Sequence, residues 1–324
     1  MLENRLLYLS RADVEAVGVL MPEIIDALEV AFQQHGQGQV EMPPKPGVHS
    51  RPDAFIHAMP CYIPGPEAIG VKWVAGYPDN PQRGLPYISG LLVLNDADTG
   101  LPLAVMDCTW ITAKRTGAAT ALAARYLARP DSQTVGILGC GVQGRSNLEA
   151  LRVLFPIQRV MAYDRTPHNA QRFADEVNSL GEIRVTVVEE PRQAVSGCDL
   201  VVTAGPILRQ PHATIQAGWL EPGAFASLVD FDSYWDRAAL AEVDKFCTDD
   251  IPQLEHYQHS GYFQDIPPIH ASLGELVTGQ KPGRQSPAER TVAANLGLAL
   301  DDMATAPIVY RRAMERQIGR WLPL

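Results

Sequence analysis

Three glycines and a few charged side chains are the residues whose types and spacing can do chemistry in this chain. Gly139, Gly141 and Gly144 stand in G-x-G-x-x-G spacing within residues 134–144, TVGILGCGVQG. A β-branched, apolar run precedes them, and Leu148, Leu151 and Leu154 follow at helical spacing, so the glycines lie where a strand turns into a helix. Gly139 permits the tight turn, Gly141 lets a pyrophosphate approach the backbone, and Gly144 lets helix and strand pack closely. With Val142 and Gln143 they are assigned to binding a dinucleotide at a helix N-terminus. Asp164 follows about 20 residues on, where an acid accepts hydrogen bonds from ribose hydroxyls and repels a 2′-phosphate, which favours NAD(H). Arg165 and Thr166 directly after it suit a phosphate, which leaves NADP(H) open. Thr203 ends a later strand-like run, on the edge where such a sheet places its ligand.

The cations come earlier. Lys72 interrupts the apolar run Gly70-Val71-Lys72-Trp73-Val74, where a lysine head must reach solvent or an anion. Arg115 stands just before an alanine-rich helix expected over residues 116–127, so its guanidinium and that helix's N-terminus suit one carboxylate. Lys45 sits in the proline-rich loop of residues 41–52. Singly, each also fits a snorkelling or solvated cation; together, the three suit an α-carboxylate. Asp230 and Asp232 follow the strand-like run of residues 224–229. A carboxylate there can exchange a proton with a substrate nitrogen, or can cap a turn. His256 and His259 have no third ligand in view, and no metal is expected.

These residues need two kinds of scaffold. Before residue 108, a capping box at Ser10 and Asp13, a helix with Pro22 in its first turn, and strand-like runs at 54–59, 68–74, 88–94 and 103–107 describe an α+β unit with a largely antiparallel sheet. From residue 134, strand candidates at 159–163, 184–188, 200–203 and 224–229 alternate with helical or turn segments, the βαβ rhythm of an α/β, doubly wound parallel sheet. A chain of 324 residues accommodates two such domains. Its 37 acidic against 27 basic residues give a formal charge of −10, which argues against nucleic acid or an anionic membrane as a partner. No stretch reaches membrane-spanning length and the first residues lack the apolar core of a signal peptide, so a cytoplasmic location is expected. The five cysteines are scattered without a CxxC pair and read as reduced, buried side chains.

The segments MPPKPGVHS, HAMPCY, GVKWVAGYPDNP, AKRTGAATALAARYLA, GILGCGVQG, ELVTGQKPGR and GLALDDMATAPIVYRRA, in this order along nearly the whole chain, resemble the ornithine cyclodeaminase/mu-crystallin family. The resemblance implies a homodimer. Residues 1–128 would form a substrate-binding and dimerisation domain, to which a C-terminal helix at 303–324 returns, and residues 129–302 a Rossmann NAD(P)-binding domain. It also implies hydride transfer at the Cα of an amino or imino acid. Lys72 and Arg115 fall on the family's carboxylate-binding lysine and arginine. Lys45 falls where many members have arginine, keeping the charge but losing the bidentate fork. Asp232 falls on the aspartate that acts near the substrate amine. Two departures stand out: His57, in HAMP, replaces the glutamate of cyclodeaminase ELMP, and Ser227 to Asp232, SLVDFD, replace a more usual N-A-x-G-x-D. The expected function is an NAD(P)(H)-dependent amino-acid dehydrogenase or imine reductase. Lys72, Asp232 and His57 act in catalysis, and Lys45, Lys72 and Arg115 hold the small amino or imino acid. A lyase of the ornithine cyclodeaminase type, using bound NAD+ and releasing ammonia, is the alternative; a non-catalytic NAD(P)H-binding protein like mu-crystallin is the second.

Overall fold

The computed structural model describes residues 5–51, 53–181 and 183–324. The chain opens with β1 (Arg5–Leu9), α1 (Arg11–Ala16), α2 (Met21–Gly36), β2 (Gly47–Val48), β3 (Phe55–Ile63), β4 (Ala68–Gly76), β5 (Ile88–Asn95), β6 (Pro102–Asp107) and α3 (Thr109–Leu127). There follow β7 (Thr134–Leu138), α4 (Val142–Leu154), β8 (Arg159–Tyr163), α5 (Pro167–Asn178), β9 (Arg184–Val187), β10 (Leu200–Thr203) and β11 (Phe225–Leu228). The remainder is α6 (Arg237–Leu240), β12 (Lys245–Thr248), α7 (Ile251–His259), β13 (Ile269–Ser272), α8 (Leu273–Val277), β14 (Thr291–Ala294), α9 (Ala299–Arg316) and β15 (Arg320–Pro323). Two compact units result, Met1–Arg115 with Leu298–Leu324, and Thr116–Gly297.

The first unit is built on a seven-stranded sheet in the order β15-β1-β6-β5-β4-β3-β2. β1 pairs parallel with β6, whereas β3, β4, β5 and β6 run antiparallel in sequence. In the β3–β4 ladder Met59 faces Lys72 and His57 faces Val74. Side chains alternate along a strand, so Lys72 and His57 share one face with the buried Met59, Cys61 and Ile63. α9 packs on that face and α2 on α9. Ile24, Ile25, Leu28 and Phe32 of α2 and Leu300, Met303 and Val309 of α9 are buried, each contributing about 1.5–3 kcal/mol. Ser10 and Asp13 form the capping box of α1, and Pro22 occupies the first turn of α2.

Several expectations change here. α3 starts at Thr109 rather than 116, where the Asp107 carboxylate accepts the Thr109 N–H at 2.9 Å. The β-branched and aromatic stretch Thr109-Trp110-Ile111-Thr112 is weak in helix propensity, and packing overrides it. Arg115 therefore lies inside α3 rather than before its first turn. A single helix over 303–324 is also corrected: α9 ends at Arg316, Gln317 turns the chain at φ 54°, and β15 pairs antiparallel with β1. The compact units divide at residue 115 rather than 128 and rejoin at 298 rather than 303, because the later half of α3 packs with the second unit. There the Thr120 and Ser227 hydroxyls lie 2.8 Å apart. Pro52, the end of the proline-rich loop, lies outside the described residues.

The second unit is an eight-stranded parallel sheet in the order β13-β12-β14-β11-β10-β7-β8-β9. β7 has β8 on one side and β10 on the other, so the strand order reverses beside it, the position at which such sheets open a ligand crevice. Leu138, Val201, Leu228, Phe231, Trp235, Phe246 and Val292 belong to its core. β12, β13 and β14 go beyond the sequence expectation. Their sequences, KFCT, IHAS and TVAA, carry at most two β-branched residues each, against three in the equally short RVTV of β9 and LVVT of β10.

Candidate active site

In the second unit the glycine loop follows β7 directly. Gly139 has φ +101°, and a Cβ on it would lie 2.5 Å from the carbonyl oxygen of Ala204, just past β10. A Cβ on Gly144 would run into the Gly139 carbonyl. Gly141 differs, since its Cβ position faces open space among the described residues. It is the N-cap of α4 and supplies no side-chain cap, and Val142 behind it is 66% exposed. A helix N-terminus without a side-chain cap, with open space at its N-cap glycine, fits the pyrophosphate of a dinucleotide. Gln143 turns its amide oxygen towards Ser146 Oγ at 3.2 Å. The Asp164 carboxylate accepts the Cys140 N–H at 2.9 Å and the Thr166 N–H at 2.8 Å. It is thereby tied to the loop, and its remaining lone pairs suit ribose hydroxyls. Arg165 and Thr166 are exposed beside it.

The segment after β11 is held from two sides. Asp230, 1% exposed, accepts the Thr203 hydroxyl at 2.6 Å and the Gly205 N–H at 2.8 Å. Burial pushes its carboxyl up to about 7, against those hydrogen bonds. Thr203 is fully buried and spends its hydroxyl on Asp230. That hydrogen bond ties the end of β10 to the segment carrying Asp232. Phe231 takes φ +62°, a left-handed conformation that costs a non-glycine residue about 1–3 kcal/mol. Its ring is packed by Tyr257 at 4.7 Å, Phe263 at 4.9 Å and Tyr262 at 5.6 Å. Asp232 follows, 5% exposed, and its Oδ1 has no hydrogen-bond partner among the described residues. It lines a cavity of ≈ 260 Å³ together with Trp235, Arg237, Gln264 and Asp265. Burial raises its carboxyl above the ordinary range, opposed by the N–H groups of Asp232 itself and Phe263. An acid of this kind can take up or release a proton at a ligand atom in the cavity.

In the first unit Lys72 and Arg115 come together, but not as open cations. Lys72 Nζ lies 2.6 Å from Asp302 Oδ2 and donates to Thr112 Oγ1 at 3.4 Å. Arg115 Nη1 lies 3.1 Å from Asp301 Oδ2 and its Nε 3.2 Å from Asp302 Oδ1. The two cations and two carboxylates balance. Burial pushes Lys72 below its ordinary range, and the charge of Arg115 adds to this while Asp302 opposes it. Burial likewise pushes Asp301 up to about 6, against the attraction of Arg115. Asp301 and Asp302 are the functional candidates missing from the sequence reading; their signal was two adjacent acids inside the apolar stretch LGLALDDMATAPIV. Lys45 is buried in the loop before β2, next to Pro46, whose carbonyl accepts the Ala58 N–H of β3 at 3.0 Å. His57 is half-buried and stacked on Phe55 at 4.4 Å.

The chain matches known proteins along nearly its whole length. The alanine dehydrogenase of Archaeoglobus fulgidus is 36% identical over 321 residues, covering 97% of each chain. The structure of Thermococcus litoralis Δ1-pyrroline-2-carboxylate reductase in complex with NADH and L-proline matches with a TM-score of 0.88 and 34% identity. It covers 97% of this chain and 99% of that one. An archaeal alanine dehydrogenase dimer with bound NAD matches with a TM-score of 0.87 and 34% identity over 98% of this chain and 99% of that one. A family model matches residues 5–317, and the chain belongs to the ornithine cyclodeaminase/mu-crystallin family.

Proposed function

We propose that this protein is an NAD(H)-dependent oxidoreductase acting at the C–N bond of a small amino or imino acid. The observation that carries the reading is the open position at Gly141, on an uncapped helix N-terminus at the strand-order reversal, with Asp164 anchored to the same loop. Relatives that match along their whole length are an alanine dehydrogenase and a pyrroline-2-carboxylate reductase, which supports an amino- or imino-acid substrate and speaks against a non-catalytic binding protein. When bound, the nicotinamide supplies or accepts the hydride at Cα. Lys72 and Arg115, with Lys45, hold the α-carboxylate and so orient Cα. Asp232 gives or takes the proton at nitrogen, with His57 a further substrate contact. Asp164 favours NAD(H) over NADP(H) by repelling a 2′-phosphate.

A homodimer is part of the reading. Trp73 and Leu91 stand opposite each other in the β4–β5 ladder, 50% and 46% exposed, on the sheet face away from α9. Exposed apolar pairs of this kind suit a second copy. A cytoplasmic location is in keeping with five buried, unpaired cysteines. Among the described residues no helix is long and apolar enough to cross a membrane.

The test is a spectrophotometric screen at the NADH band: Δ1-pyrroline-2-carboxylate, and pyruvate with ammonia, in the reductive direction, and L-proline and L-alanine with NAD+ in the other. Stoichiometric absorbance change is expected, reduced on the order of 100-fold in Asp232→Asn with NADH binding retained. Ammonia release from ornithine without net absorbance change would replace the reading by the lyase.

A further inference from the structure

The two cations proposed to hold the substrate carboxylate are supplied with anions from within the fold. Asp301 and Asp302 occupy the first turn of α9, where the helix N-terminus favours negative charge. Asp301 is anchored there by the Leu298 N–H at 3.1 Å. Asp302 bridges, with Oδ2 at 2.6 Å from Lys72 Nζ and Oδ1 at 3.2 Å from Arg115 Nε. All four side chains are at least nine-tenths buried. We infer that Asp302, backed by Asp301, is a positioning residue for carboxylate recognition: it fixes the spacing of the Lys72 ammonium and the Arg115 guanidinium and keeps Lys72 charged. The inference rests on the reading of Lys72 and Arg115 as carboxylate-binding.

The physical reason is the cost of two like charges in one dry pocket. Burial and the Arg115 charge both act to remove the proton from Lys72, and Asp302 is the facing group that retains it. Asp301 also acts on the Lys72 charge but pairs with Arg115 at 3.1 Å, and Cys108 adds a smaller attraction than Asp302. The Cys108 thiol is pushed up to about 11 by burial, and Cys61, on β3, is pushed higher still. Thr112 offers a hydroxyl, and His57 lies two pairs along the β3–β4 ladder on the same face. The sign follows directly. Lys72 binds a carboxylate while protonated, so that affinity is present at low pH and lost as pH rises through its pKa. Asp302→Asn removes the opposing attraction and moves that loss to lower pH.

The experiment uses the full chain with lysine ¹³Cε labelling, the Lys72 signal being identified by its absence in Lys72→Met. The expected result is a titration midpoint lower in Asp302→Asn than in wild type by about one pH unit or more. The rise in KM for Δ1-pyrroline-2-carboxylate with pH moves down in pH by the same amount. Asp302→Glu, the second variant, keeps the charge and displaces the carboxylate by one methylene. Its Lys72 midpoint should stay near that of wild type while KM rises about tenfold. Equal midpoints in Asp302→Asn and wild type, a KM increase uniform with pH in Asp302→Asn, or an unchanged KM in Asp302→Glu overturns the inference. An unchanged KM in Lys72→Met instead overturns the carboxylate reading of Lys72, a result the lysine titration distinguishes from failure of the positioning role.

Discussion

Lys72 and Asp302 meet at 2.6 Å with side chains 1% and 0% exposed. Both ions have left water, so the attraction between them largely repays desolvation, and the net worth of the intact pair is small. Orphaning either partner is another matter, because the remaining charge stays buried.

Asp302→Leu and Lys72→Met are each expected to lower stability by about 3–5 kcal/mol, and the double variant by clearly less than their sum. Urea unfolding of the four proteins measures the coupling. Additive losses would mean that the pair does not interact in the folded protein.

The glycine loop separates packing from binding. Gly144→Ala places a methyl group against the Gly139 carbonyl and should destabilise the second unit by about 1–3 kcal/mol. Gly141→Ala meets open space at φ −84°, so melting should be nearly unchanged while NADH affinity falls about tenfold or more. Fluorescence titration with NADH and thermal melting read both. Equal NADH affinity in Gly141→Ala and wild type would remove the phosphate from this position.

Asp230 makes a pH prediction. Its carboxyl is raised to about 7 in the folded state, so the folded protein binds this proton more tightly than the unfolded chain does. The resulting stability is complete below pH ~4 and is lost as pH rises through about 7, up to about 4 kcal/mol in all. Asp301, raised to about 6, acts with the same sign over the lower part of that window. Asp230→Asn should flatten this part of the curve, its amide oxygen accepting the Gly205 N–H and its NH2 group donating to Thr203 Oγ1. Chemical unfolding between pH 4.5 and 7.5 compares the slopes, and identical slopes in both proteins would refute the assignment.

The dinucleotide loop was legible in the chain because every part of its signal is local. A strand, three spaced glycines and a helix follow one another within a few turns, and Asp164 directly follows the next strand. The antiparallel runs of the first unit were legible for the same reason: β3, β4 and β5 each carry enough residues to show alternation. β12, β13 and β14 carry too few β-branched residues to stand out, and pairing in the sheet makes them strands. The family was readable from motifs spread along nearly the whole chain.

What the cations do was decided by tertiary structure. Sequence identified Lys72 and Arg115 as charges in unusual places, but whether such a charge meets solvent, substrate or an internal acid depends on distance and burial. Arg115 and Asp301 are 186 residues apart along the chain, and only the packing of α9 on the sheet brings them to 3.1 Å. Thr203 and Asp230 follow the same logic. Each ends or follows a strand that a local pattern finds, yet their hydrogen bond exists only because β10 and β11 are neighbours in the sheet. Local pattern determines which groups are available, and the buried electrostatics of the folded chain determine which of them are paired.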